Sequence, residues 1–485
     1  MIEWRHEQRR LGEGFFFEDV ESWWEPWMRQ ADTVLDDEEL LELVYEAQGR
    51  RHAQSRTRGR PQTPADVTLR MLLLKHARNW SYEETEQEVR GSLIYRQFTR
   101  VGMEKVPDAK TLGRLGQAVG PEVLEQIHQR LVGVAREKKV VKGRKMRVDT
   151  TVVETNIHYP TDSSLLGDGM RVLTRVMKKI SHVVGDVGRR LRDRMRTARR
   201  RVLEVALASR SQGAQREQKL KKGYRRLLQV TRQVVNQARR FSEEIHSGVK
   251  RAARRKQQKV LRSLGQQLEQ MTGRVRRVIR QARARVFGGN THVAEKLVSL
   301  FEPDTEVIRK GKASKPTEFG KMVKIQEAEN QIITDYQVYD ERPNDVDLLV
   351  PAVEAHQEQL GRTPEMVAAD AAFYSTQNEQ QLEQRGVRHV CIPNVHSKSA
   401  ERRRHQKKRW FRKGQKWRTG SEGRISVLKR RHGLNRCRYR GRDGMHRWVG
   451  LGVIADTVIN IGRILADRAL AAGPAPASPA HNEGK

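Results

Sequence analysis

The sequence has little of what disulfide-rich, zinc-binding or membrane-spanning proteins need. Its 485 residues include only two cysteines, Cys391 and Cys437, which excludes a disulfide framework and a zinc knuckle. A membrane-spanning helix needs roughly 18 to 20 uninterrupted apolar residues. Charged residues interrupt the most apolar stretch, residues 449–470, and the first residues lack the apolar core of a signal peptide. We therefore expect a soluble, cytoplasmic protein.

Acidic residues are scarce relative to basic ones. The 95 lysines and arginines outnumber the 59 aspartates and glutamates, which gives a formal net charge of +36 and a sequence pI near 10.6. Such an excess favours a polyanionic partner, most often nucleic acid, with an anionic membrane surface as the other candidate. We expect nucleic acid, and therefore an association with the nucleoid.

A stretch rich in β-branched residues, residues 147–154, predicts a strand with a carboxylate near its centre. Side chains alternate along a strand, so Asp149 and Thr151 share one face. A buried carboxylate is costly unless a positive charge compensates it, and a metal ion is one such compensation. Pairing of Asp149 with the nearby Arg147 is the alternative.

Two later acids extend this pattern. The apolar run 366–369 predicts a buried strand that ends at Asp370, where open α/β sheets place their ligands. Residues 418–429 predict a helix on which Arg418, Glu422 and Lys429 share one face. For Glu422 the alternative is a salt-bridge ladder along that helix.

Three carboxylates that converge at one edge of a sheet repel one another, and divalent cations relieve that repulsion. Mg²⁺ prefers hard oxygen ligands and leaves its other positions to water and substrate phosphates. Two such ions about 3.5–4 Å apart stabilise both the attacking and the leaving oxygen of an in-line phosphoryl displacement. Asp149, Asp370 and Glu422 therefore predict a metal site for phosphoryl transfer.

Basic segments outside this set predict contacts with DNA. Arg58 and Arg60 lie in an Arg-Gly-Arg-Pro arm that suits an A·T-rich minor groove, with a solvated linker as the alternative. In residues 402–412, cations are interleaved with aromatic residues, a pattern that suits phosphates and stacked bases. The candidate contacts in that segment are Arg402, Arg403, Lys407, Lys408 and Trp410.

The stretch 165–286 differs from the rest of the chain because it lacks proline and is dense in arginine and lysine. Apolar residues recur in it at helical spacing, which predicts long helices, as in an antiparallel hairpin, inserted between the first strand and the rest of the core. Its basic runs favour a phosphate-tracking role, with a merely solvated surface as the alternative.

The residues around the three acids resemble a bacterial insertion-sequence transposase of the DDE type, closest to the group filed as not yet classified. Residues 148–160 are similar to that family's first-Asp strand, and residues 368–374 are similar to its second. Gln415 stands where the family often carries a tyrosine. The family's pattern of Arg, three residues, Glu, six residues and Lys is matched by Arg418, Glu422 and Lys429.

The resemblance implies an α/β fold: an RNase H-like catalytic core with a mixed sheet, an N-terminal helical domain and a long basic helical insertion. Together with the patterns above it predicts five parts. They are an N-terminal extension with a basic linker (1–60), a helical domain for DNA binding or dimerisation (61–137), the catalytic domain (138–164 and 287–468), the insertion (165–286) and a disordered tail (469–485).

The resemblance also implies an activity. Asp149, Asp370 and Glu422 would bind two Mg²⁺ or Mn²⁺ ions, while Arg418 and Lys429 hold phosphate. The protein would cut double-stranded DNA at terminal inverted repeats and transfer the strand into target DNA. It would act as a homodimer in the synaptic complex, and no membrane partner is expected. The alternatives are a catalytically inactive DNA-binding protein derived from a transposase, and an RNase H-like nuclease that cuts without joining.

Overall fold

The computed structural model describes residues 2–5, 19–51, 54, 56, 62–184, 191–249, 255–294, 296–309 and 317–472. The chain forms two compact units: the first is Met1–Asn156 with Gly320–Lys485, and the second is Ile157–Phe319. The predicted helical domain, 61–137, lies in the first unit, and the predicted insertion, 165–286, lies in the second. Arg58 and Arg60 lie outside the described residues.

Helices make up the N-terminal part of the first unit, and side-chain caps fix where several of them begin. Ser81 and Glu84 form a capping box, in which each side chain accepts a hydrogen bond from the other residue's backbone N–H. Asp108 caps the longest of these helices by accepting from Thr111 N at 2.8 Å. The described helices here are α1 Pro26–Leu35, α2 Glu38–Gly49, α3 Ala65–Ala77, α4 Tyr82–Gly91, α5 Leu93–Phe98 and α6 Ala109–Glu137.

A mixed sheet follows, and the described residues contribute seven strands to it. They are β1 Lys145–Thr155, β2 Glu306–Arg309, β3 Thr317–Glu327, β4 Ile333–Val338, β5 Met366–Ala368, β6 His389–Cys391 and β7 Arg436–Cys437. β1 pairs antiparallel with β3, which pairs antiparallel with β4. On its other side β1 pairs in parallel with β5 and, at its carboxyl end, with β7. The predicted α/β class is confirmed, and this order agrees with the RNase H-like core that the resemblance implies.

The second unit is helical and has an apolar core of its own. Its described helices are α7 Asp162–Val184, α8 Met195–Arg210, α9 Arg216–Val249 and α10 Arg255–Gly288. Leu173, Leu227 and Leu268 are fully buried in that core. The prediction of long helices is confirmed, but four described helices replace the predicted hairpin. One break falls between α8 and α9, where α8 ends at Arg210, Ser211 is extended and Gly213 has a φ of 94°, which a regular helix does not contain.

The C-terminal part of the first unit alternates the last strands with helices. These are α11 Leu349–Leu360, α12 Thr376–Gln384, α13 Ala400–Lys407, α14 Arg409–Arg431 and α15 Gly441–Ala472. α15 ends four residues into the predicted tail, because residues 469–472 are alanines and a leucine, which favour a helix.

The helix α15 is the central core helix of the first unit. By length and composition it could cross a membrane, yet 83% of its most apolar window is buried inside the protein. Gly462 lets it approach α1 closely, since a Cβ there would collide with the carbonyl oxygen of Trp27. Its apolar character therefore serves packing, as expected for a core helix.

Candidate active site

Two aspartates meet at one edge of the sheet because of the register between β1 and β5. Arg147 of β1 lies beside Ala368 of β5 in a parallel pairing. Asp149 lies two residues further along β1, and Asp370 lies two residues beyond the last residue of β5, so both acids lie at the same end of this pairing. Burial raises the pKa of Asp149, and the negative charge of Asp370 raises it further. The structure thus brings these two predicted acids together.

Asp149 is held in place by donors from its own strand and from α14. Its Oδ1 accepts from Thr150 N at 2.7 Å, and its Oδ2 accepts from Ser421 Oγ at 3.0 Å. The predicted alternative, a pairing with Arg147, is not observed. Arg147 instead forms a buried ion pair with Glu327, with Nε donating to Oε2 at 2.9 Å. Glu327 therefore neutralises the positive charge of Arg147 within the core.

Asp370 begins the short turn that follows β5. Its Oδ1 accepts from Ala372 N at 2.8 Å, which sets the direction of the chain as it leaves the strand. Gln415 on α14 reinforces this end of the sheet, because its side-chain amide donates to the carbonyl oxygens of Ala369 and Cys391. Gln415 thus joins the ends of β5 and β6 to α14, at the position where the resemblance leads one to expect tyrosine.

Two glycines allow α14 to lie directly on the sheet. A Cβ at Gly414 would collide with Cys391 Sγ, and one at Gly420 would collide with the guanidinium of Arg147. A buried ion pair fixes the same helix to α15, since Arg424 Nη1 lies 2.6 Å from Asp456 Oδ1. The close approach places Ser421 against Asp149.

The third predicted acid, Glu422, does not join the two aspartates in this arrangement. Its side chain is 64% exposed, and its Oε1 accepts from Arg418 Nη2 at 3.0 Å. The other terminal nitrogen of Arg418, Nη1, lies 4.0 Å from Asp149 Oδ2. Arg418 therefore bridges Glu422 and Asp149, and the predicted salt-bridge alternative is the contact that the structure contains.

The two aspartates suit a divalent cation, but Glu422 does not lie with them as a third ligand. Two carboxylates at one sheet edge, with the charge of Asp370 raising the pKa of Asp149, offer the hard oxygen ligands that such an ion prefers. Within the described part of the chain, no three His, Cys, Asp or Glu side chains are grouped closely enough to hold a metal. Glu422 would have to leave Arg418 to complete such a group.

The basic segment after β6 separates into anchored and exposed side chains. Arg402 Nη1 donates to Glu379 Oε1 at 2.6 Å, and its guanidinium stacks on Tyr374. Trp410 stacks on His389, with ring centroids 4.6 Å apart. These two predicted DNA contacts are thus engaged within the protein. The exposed members of the predicted set are Arg403, Lys407 and Lys408.

Sequence reasoning missed Ser421, the α14 residue whose hydroxyl donates to Asp149. The signal was present in the spacing of the residues that α14 buries: Phe411, Gly414, Ser421, Arg424 and Leu428. These positions recur every three or four residues apart from one longer interval, and they define the face of α14 that meets the sheet. Glu422 lies beside that face, and Lys429, seven residues further on, is half-buried.

Two parts of the chain match models of known protein families. Residues 25–117 match the Transposase domain (DUF772), which covers α1 to the first turns of α6. Residues 376–465 match the Transposase DDE domain, which contains Glu422 and follows both aspartates in sequence. No curated protein matches the chain, and no solved structure matches it.

Proposed function

We propose that this protein cleaves DNA at the ends of an insertion-sequence element and joins those ends to target DNA. Its two family matches support a transposase of the DDE type. Transposases bind DNA, and DDE transposases generally use divalent metal ions. The main support for the proposal is the proximity of Asp149 and Asp370 at the sheet edge, where their negative charges repel each other.

Asp149 and Asp370 would hold the metal, with Glu422 as the third ligand once it has left Arg418. A bound divalent cation lowers the pKa of a coordinated water and neutralises charge that develops on the phosphate. In the first step a water oxygen bonds to phosphorus, the bond from phosphorus to the 3′ oxygen breaks, and that oxygen takes a proton. In the second step the freed 3′-hydroxyl attacks a target phosphodiester and displaces its 3′ oxygen in the same way.

Arg418 has two roles in this proposal. Without DNA, its guanidinium supplies the positive charge beside Asp149 and keeps Glu422 turned outward. A DNA phosphate competes for the same guanidinium, because arginine binds phosphate with two parallel hydrogen bonds. Drawing Arg418 onto the phosphate releases Glu422 toward the two aspartates. DNA binding and assembly of the metal site are then coupled.

The DNA lies along the basic part of the first unit in this proposal. Residues 398–440 contain 18 lysines and arginines and only two acids, Glu401 and Glu422. The exposed cations Arg403, Lys407 and Lys408 contact phosphates, and Lys429 supports the phosphate near Glu422. Because two DNA ends must be brought together, the active form is a homodimer on double-stranded DNA.

A cleavage and strand-transfer assay tests this function. Purified protein is incubated with DNA that carries the element's terminal repeats and with Mg²⁺ or Mn²⁺, beside Asp370→Ala and Glu422→Ala. Glu383→Ala is the matched control, since Glu383 is an exposed glutamate of the same unit outside the site. We expect metal-dependent joined products from the wild type and the control, and none from the two site variants.

The outward position of Glu422 favours one alternative, a DNA-binding protein without cleavage activity. That alternative predicts salt-sensitive binding with no nicking by the wild type, under conditions where a control transposase cuts. Cleavage without joined products would instead identify an RNase H-like nuclease. Activity that survives Glu422→Ala would keep the enzyme but reject Glu422 as its third acid.

A further inference from the structure

We propose that a cavity in the second unit is a binding site for a phosphate group of the DNA backbone. The inference relies on the proposed function only in taking DNA as the polyanion. The cavity has a volume of about 350 Å³ and lies where the segment before α8 meets α9. Its polar lining consists of three arginines and three amides: Arg192, Arg194, Arg240, Gln233, Asn236 and Gln237.

The positive charge of this cavity is not neutralised by its own lining. None of the described residues that line it is acidic. The acid nearest in sequence, Asp193, is engaged elsewhere, since it pairs with Lys178 Nζ at 2.6 Å and accepts from Met195 N at 2.8 Å. Guanidinium groups around a single cavity repel one another, so an anion between them is stabilised.

Arg194 is fixed in place by neutral partners. Its Nε donates to Gln233 Oε1 at 2.9 Å, and its Nη1 donates to Gln237 Oε1 at 3.2 Å. These amide oxygens orient the guanidinium without cancelling its charge. Burial lowers the pKa of Arg194, and the positive charge of the adjacent Arg192 lowers it further. A preoriented guanidinium matches the geometry of phosphate and loses little side-chain entropy on binding it.

The backbone and the charge of the whole unit favour the same ligand. Arg194 is the N-cap residue of α8, whose first turn has no acidic residue, so the positive end of a 16-residue helix adds to the arginines. Residues 157–319 contain 40 of the 95 lysines and arginines but 14 of the 59 acids, which places +26 of the formal +36 charge in this unit. A continuous polyanion therefore suits this unit better than an isolated small anion.

Two neighbouring arginines of α9 provide a matched test in the full-length protein. Arg240 lines the cavity, whereas the exposed Arg239 does not. We would measure DNA affinity by fluorescence anisotropy over a range of salt concentrations, without metal, for Arg194→Gln, Arg240→Gln and Arg239→Gln. Replacing a phosphate contact lowers affinity on every DNA sequence and reduces the salt slope by about 1.

We expect Arg194→Gln and Arg240→Gln to show that change and Arg239→Gln to show a clearly smaller one, with unaltered circular dichroism. Equal effects of all three substitutions would overturn the inference in favour of a diffuse basic surface. A competition arm with inorganic phosphate at constant ionic strength separates the two sources of phosphate. If free phosphate displaces no DNA but both variants weaken DNA binding, the backbone phosphate is the ligand. If free phosphate binds and neither variant affects DNA, the cavity binds a small anion and the inference fails, while the cleavage assay above remains a separate test of the function.

Discussion

The two units of this protein carry their charged residues in different ways. The second unit has a formal charge of +26, and several of its described arginines line a cavity or lie on exposed helix faces. The first unit has a formal charge of only +10, and residues 398–440 account for more than all of it. Its sheet and helices also contain buried ion pairs, Arg147 with Glu327 and Arg424 with Asp456.

This difference separates two tasks that a DNA-processing protein must combine. A unit that binds a polyanion needs unneutralised positive charge on its surface, because that charge gives affinity irrespective of sequence. A unit that performs chemistry needs a few charged groups held in fixed positions, and buried pairs hold them at a considerable desolvation cost. We therefore expect substitutions of the site acids and buried ion pairs in the first unit to affect cleavage and stability, and substitutions of the cavity arginines in the second unit to affect DNA affinity alone.

The largest expected effect is on cleavage. Asp149→Asn preserves the shape of the side chain but removes one of the two charges that would hold a cation. Loss of several kcal/mol of transition-state stabilisation corresponds to about a 10³-fold slower cleavage rate. Single-turnover cleavage measures it, and DNA affinity serves as the internal control. If this variant loses DNA binding but keeps cleavage activity, the assignment of Asp149 to chemistry and not to DNA affinity is wrong.

The next largest effect is on the stability of the first unit. Arg424→Ala removes the arginine that neutralises the buried carboxylate of Asp456 and leaves that carboxylate with the amide of Asn460 and the ring of His432, which costs about 3–5 kcal/mol of unfolding free energy. Denaturant unfolding measures this cost. Lys221→Ala in the second unit is the control, because Lys221 pairs with the exposed Glu217 at the helix surface. Equal destabilisation by both substitutions would show that burial does not distinguish the two kinds of ion pair.

A smaller effect concerns the buried lysine of α3. Lys75 lies against the rings of Tyr82, Tyr439 and Trp448, and burial lowers its pKa to about 7 from an unperturbed 10.5. Between these two pKa values the unfolded chain binds more protons than the folded one. The free energy of unfolding therefore rises with pH across this window, by up to about 1.4 kcal/mol per pH unit.

Lys75→Met removes this titration, so we expect the variant to be more stable than the wild type near pH 7 and to lose the slope above it. Denaturant unfolding at pH 7, 8.5 and 10 measures both quantities. A wild type whose stability falls over the same window would contradict the depressed pKa of Lys75.

Much of the sheet edge could be predicted from the sequence because strands leave a short-range signal. β-branched residues around Asp149 and the apolar run before Asp370 indicated the two strands, and parallel pairing brought both acids to one edge. The orientation of Glu422 was harder. Its position on a helix was predicted, but which stripe of α14 faces the sheet depends on Gly414 and Gly420. As isolated residues these glycines signal only a weaker helix.

The anchored members of the basic segment escaped prediction for a different reason. Charge and aromatic content indicated Arg402 and Trp410 as DNA contacts. Their partners, Glu379 and His389, lie more than 20 residues earlier in the chain. Composition cannot distinguish an exposed cation from one that is paired over such a distance. Within this one basic segment, some side chains therefore anchor the fold while others remain exposed for DNA.

The affinity for Mn²⁺, measured by electron paramagnetic resonance with and without terminal-repeat DNA, tests two linked proposals. In these, Asp149 and Asp370 form the cation site, and Arg418 keeps Glu422 from it until DNA binds. They predict tighter Mn²⁺ binding with DNA than without, by reciprocal coupling. Asp370→Ala should abolish binding in both states, and Arg418→Gln should raise the affinity without DNA. Unchanged Mn²⁺ binding by Asp370→Ala would contradict the account.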